Sequence, residues 1–130
     1  MNRNDARKII DGLMIEYPTL TSSGWGQPSN EKFQEYRDQL RTEFFVYEFV
    51  HAMAYIAQAK RTKAVNHKMS SYTFKHAAES WGENEPTRLA CKGYVGNGAF
   101  IAAAIASNLQ VRRYHNASDC YVNLASVRLC

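Results

Sequence analysis

Between Glu48 and Glu79 the sequence has no acidic residue, although Lys60, Arg61, Lys63, Lys68 and Lys75 all fall in that interval. Other absences narrow the field further. No run of about 18 apolar residues exists, so no transmembrane helix is expected. The opening residues, MNRNDARKIIDG, mix both charges and lack the apolar core of a secretory signal. Cysteine is scarce: Cys91, Cys120 and Cys130 are an odd set without C-x-x-C spacing, as suits a compartment that keeps thiols reduced. These features give the expectation of a cytoplasmic protein that does not enter a membrane. No phosphate-binding loop, dinucleotide fingerprint or metal-ligand spacing is present, so no cofactor is expected.

What is present is ordinary globular material. The 130 residues suit a single domain, 1–130, and at 45% apolar and 22% charged they argue against disorder. The net charge is +4, but residues 1–48 sum to −2 and residues 49–130 to +6. Such asymmetry bears on partners rather than on fold.

Periodicity gives a mainly α reading: four to five helices around a central apolar helix, with a C-terminal β-hairpin (α+β). Asn4 is placed to cap a first helix that Pro18 stops near Tyr17. Residues 18–29 read as a loop pinned by Trp25. A long helical stretch follows to about Lys60. Its first half is amphipathic, with Phe33, Tyr36 and Leu40 inward and Arg37 and Arg41 solvated. Its second half, FFVYEFVHAMAYIAQA, is apolar nearly all round, and Thr42 is placed to recap it. Lys60 to Ser70 reads as a linker, and Ser70 or Ser71 opens a helix to about Trp81 that Gly82 ends. Residues 83–93 read as a second loop. Asn97 is placed to cap the alanine-rich helix AFIAAAIASNL. The tail alternates like a hairpin, with Leu109, Val111, Tyr121 and Leu124 on buried faces.

The basic interval carries the functional expectation. Lys60, Arg61, Lys63, His67 and Lys68 precede a helix start at Ser70 and Ser71, with Tyr72, Lys75 and His76 in its first turns. Ammonium groups, hydroxyls and free N–H groups are the usual partners of phosphate, and a tyrosine can stack on a base. Arg112 and Arg113 on the hairpin would extend the same face. The helix–loop–helix–hairpin order from Ser71 to Ser126 has the outline of a winged helix-turn-helix, which makes a DNA-binding regulator one alternative. A second is a small enzyme on a phosphate-bearing substrate, using His76 or His67 with Glu79. His51, inside the apolar helix, reads as a core histidine. Gly93-x-x-Gly96-x-Gly98 reads as a turn and cap.

Two stretches, SSYTFKHAAE (70–79) and YVGNGAFIAAAI (94–105), resemble small proteins carried by phages, plasmids and related bacterial elements. The resemblance covers the C-terminal half and carries no site residue over. It implies an accessory protein of a mobile genetic element, in the company of regulators and host-defence inhibitors such as anti-CRISPR proteins. The resulting expectation is a non-catalytic binder of nucleic acid, or of the nucleic-acid-binding surface of a host nucleoprotein complex. A homodimer is compatible with it.

Overall fold

The segment Glu43–Gln58 is apolar on most sides, so other elements must cover it. The computed structural model, which describes residues 1–128, places it at the centre of a mainly helical α+β fold. Among the described residues there are six α-helices: α1 (Arg3–Glu16), α2 (Phe33–Asp38), α3 (Glu43–Gln58), α4 (Ser71–Ser80), α5 (Pro86–Cys91) and α6 (Asn97–Ala106). The strands are β1 (Leu20–Thr21), β2 (Gly24–Trp25), β3 (Arg61–Asn66), β4 (Val111–Arg113) and β5 (Cys120–Leu124). Helices α1, α4, α5 and α6 all pack against α3. Phe49, Phe74, Phe100, Ile56 and Ile101 form the fully buried middle. No helix among the described residues is long and apolar enough to cross a membrane.

The break near Thr42 has a clear cause. Gln39–Arg41 tightens into a 3-10 turn, and the Thr42 hydroxyl then accepts a hydrogen bond from Phe45 N–H at 3.2 Å, capping α3. Two inward residues of the charged half are only half-buried, Phe33 and Tyr36, while Leu40 is fully buried. Arg37 is not solvated as its helix pattern suggests. It donates to the carbonyls of Tyr17, Leu20 and Met14 at 3.2, 2.9 and 3.0 Å, so it closes the end of α1.

Several boundaries differ from the sequence reading. The cap of α1 is Asn2, whose side chain accepts from Asp5 N–H at 2.8 Å, rather than Asn4. Residues 18–29 contain the short antiparallel pair β1–β2, which Trp25 pins by being buried. Pro86 starts α5 within the stretch read as a loop, the favoured place for proline in a helix. Lys60 to Ser70 is not a linker, because β3 adds to the hairpin and gives a three-stranded sheet in the order β3-β5-β4, antiparallel throughout. An isolated hairpin is only marginally stable, and a third strand is the usual remedy. Leu109 and Leu124 are buried and Val111 half-buried. Tyr121 is not in the core; it faces the other side of the sheet from Cys120, Val122 and Leu124. Cys91 and Cys120 are buried thiols, and Cys130 lies outside the described residues.

Gly96, not Asn97, is the cap of α6. Asn97 is the first helical residue, and its side chain is committed elsewhere. Its amide donates to Ser23 O and Asp119 Oδ1 at 3.1 and 3.0 Å, and its oxygen accepts from Ser71 Oγ–H at 2.8 Å. The same Ser71 oxygen accepts from Cys120 N–H at 3.0 Å. One buried polar knot thus fixes the starts of α4, α6 and β5 together.

Candidate functional site

The basic interval does not form one surface; the fold divides it in two. On α4, Ser71 is fully buried in the Asn97 knot and Lys75 is 7% exposed. Lys75 lies 3.3 Å from Glu79 Oε2 and 5.2 Å from the ring centroids of both Tyr72 and Tyr94. It is therefore paired and enclosed, and a phosphate cannot reach it as it would a surface lysine. Glu79 is equally occupied: it also accepts from Val95 N–H at 3.1 Å and lies 2.8 Å from His76 Nδ1. His76 and Tyr72 pack edge to face at 4.7 Å between ring centroids. Ser70 sits at the cap position of α4 without a side-chain bond.

The other half stays open. Lys60, Arg61, Lys63, His67, Lys68, Arg112 and Arg113 are all exposed, and among the described residues none is within ion-pair distance of a carboxylate. Two of them are nonetheless used in packing. Arg61 donates to Ser107 O at 2.9 Å, satisfying a carbonyl at the end of α6. Arg113 lies 4.7 Å over the Trp25 ring. The registers explain this. Arg61 is opposite Leu124 and Arg113 opposite Cys120, both core-facing positions, whereas Arg112 is opposite the outward Tyr121.

Arg112 therefore belongs to the outer face of the sheet, and a row of rings runs across it. His67 and Tyr121 are 5.0 Å apart, Tyr121 and Tyr114 6.2 Å, and Tyr114 and His115 4.5 Å, between centroids. Tyr114 is 58% exposed. Asn123 and Gln110 complete the face: Asn123 Nδ2 donates to Thr62 O at 3.1 Å, and Gln110 Nε2 to Lys63 O at 3.0 Å. These bonds hold the irregular middle of β3, where the register shifts, against the regular part of the sheet. The sequence reading missed Tyr114 and put Tyr121 on a buried face. The signal was available, since Tyr121 and Leu124 are three apart and cannot share one face of a strand.

A concavity also lies beside α4. It is a cleft of about 670 Å³ between the start of α3, α4 and the loop before α6. Phe44, Tyr72 and Tyr94 line it and are 71%, 50% and 58% exposed. Glu48, Lys75, Asn97 and Asp119 also line it. Glu48 Oε1 accepts from Gly96 N–H at 2.7 Å. Burial pushes the Glu48 carboxyl above its ordinary range, against the lowering effects of that bond and of Lys75. None of Glu48, Phe44, Tyr94 or Asp119 stood out in the sequence.

The remaining sequence candidates have structural roles. His51 is completely buried, 3.0 Å from Thr87 Oγ1 and 2.8 Å from Ala78 O. Helix α6 is buried from Asn97 through Ala104, so it has no free face to enter a DNA groove. Gly96 and Gly98 mark close approach, since a Cβ at Gly98 would strike the Thr21 carbonyl oxygen. No group of three or more metal-capable side chains gathers among the described residues. The chain matches no family model, no curated protein and no solved structure.

Proposed function

We propose that the protein is a non-catalytic binder of single-stranded nucleic acid, which it takes on the outer face of the β3-β5-β4 sheet. The observation that carries this reading is the row His67, Tyr121, Tyr114 and His115 across a sheet whose neighbouring cations lack carboxylate partners among the described residues. Every base has a π-face, so a ring platform accepts a strand with little regard to sequence, at about 1–3 kcal/mol per stacked base. Arg112, Lys63 and Lys68 supply charge for the phosphates that run past the rings. A duplex hides its base faces and would need an element to enter a groove. The buried α6 offers none. A protein of this kind suits a mobile genetic element, whether it shelters a strand or keeps a host defence complex from one.

Fluorescence anisotropy with labelled 20-nucleotide single strands of DNA and RNA, and with a duplex of equal length, tests the reading. A single strand should bind, with log K falling linearly as log salt rises. Tyr121→Ala should weaken binding about tenfold at every salt concentration, which is about 1.4 kcal/mol. Arg112→Ala should instead reduce the salt slope by about 0.7. Equal affinity for the duplex, or an unaffected Tyr121→Ala variant, overturns the proposal.

A further inference from the structure

The aromatic cleft beside α4 has an unusual charge balance. Its one lysine, Lys75, is already paired with Glu79. That leaves the Glu48 and Asp119 carboxylates, neither of which has a cation within ion-pair distance among the described residues. Each uses one oxygen internally, Glu48 for Gly96 N–H and Asp119 for the Asn97 amide. The second oxygen of each has no hydrogen-bond donor among the described residues. In a molecule of net charge +4, this hollow is lined by more acid than base. Phe44, Tyr72 and Tyr94 line it too, although such large rings are costly to leave in water.

Carboxylates and the faces of aromatic rings share one preferred partner, a cation that is flat and weakly hydrated. Guanidinium fits better than ammonium, because it stacks on a ring while its edge donates to a carboxylate. The hollow is also larger than one arginine side chain fills, which favours a length of chain over a lone small amine. We infer that this cleft docks an arginine-bearing segment of a partner protein, with the guanidinium against the Phe44, Tyr72 and Tyr94 rings and its charge balanced by Glu48 and Asp119. The raised pKa of Glu48 agrees with this, because burial penalises its charge more than Gly96 N–H and Lys75 favour it, and a docked cation relieves that penalty. This site is separate from the sheet platform and does not depend on it.

The test uses the full chain and a labelled pentapeptide, acetyl-Gly-Gly-Arg-Gly-Gly-amide, beside its citrulline counterpart, which keeps the shape and loses the charge. The arginine peptide should saturate the protein and bind about tenfold more tightly than the citrulline peptide. Glu48→Gln, which retains an acceptor for Gly96 N–H and so the fold, should weaken the arginine peptide about tenfold, as should Tyr94→Ala on the exposed rim. Tyr121→Ala, on the other surface, should leave peptide binding unchanged. Equal binding of the two peptides, or no saturation by roughly 10 mM, overturns the proposal. So does arginine ethyl ester binding as tightly as the peptide, since the occupant would then be a small amine.

Discussion

His51 shows what one side chain can impose. Its ring is enclosed against Trp81, with centroids 5.5 Å apart, and its two nitrogens face Thr87 and Ala78. Burial lowers its pKa in the folded state against the raising effect of the bond to Ala78 O, with the nearby Arg88 adding to the lowering and Glu85 opposing it. The unfolded chain therefore takes up a proton near pH 6.5 while the folded chain still resists it. The stability this histidine contributes is complete above that pH and declines as acid carries the solution toward the folded pKa. Urea midpoints should drop between pH 7.5 and pH 5, and drop less in a His51→Gln variant. A flat profile in the unmodified chain would show that the histidine is solvated or already charged.

Elements are decided by ends as much as by middles. Thr42→Ala removes the hydroxyl that receives Phe45 N–H at the start of α3 and should cost about 1 kcal/mol. Gly98→Ala should cost more, about 1–3 kcal/mol, because the added methyl meets the Thr21 backbone and no flexible side chain can yield. Denaturant titration of both variants gives the order. The ends were also where reading the sequence succeeded and failed. The apolar run 43–58, the hydroxyl at Thr42 and the proline at 18 are strong local signals, and the helices they delimit are where they were expected. Strand β3 was illegible, because RTKAVN has no alternation and pairs with residues about 60 positions later. Helix α5 is too short for a periodic pattern to emerge. Asn97 looked like a cap because it precedes an apolar run, yet tertiary partners claimed its amide. The basic cluster failed as a unit for the same reason: α4 turns Lys75 inward, while β3 and the bend after it leave Lys63 and Lys68 outside.

At the level of the molecule, two unlike surfaces share one helical body. One is a basic sheet with rings, and the other is a hollow with carboxylates and rings. The Asn97–Ser71–Cys120 knot joins them at the start of β5, but neither Glu48 nor Tyr121 takes part in it, so the energetics of those two side chains should be separable. A Glu48→Gln and Tyr121→Ala double variant should lose peptide affinity by the amount of the first change and strand affinity by the amount of the second, each within about 0.5 kcal/mol. Measured coupling well beyond that would mean the helical body transmits between them. The sheet has a further consequence that concerns handling of the protein. β3 is a border strand of the sheet, and although side chains take its Thr62, Lys63 and Ala64 carbonyls, a border strand is the kind of edge on which copies of a chain stack into fibrils. Lys60, Arg61 and Lys63 stand along that border and repel an approaching twin. Polyanions such as heparin, or acetylation of those lysines, would mute that repulsion, and self-assembly would then begin at this seam.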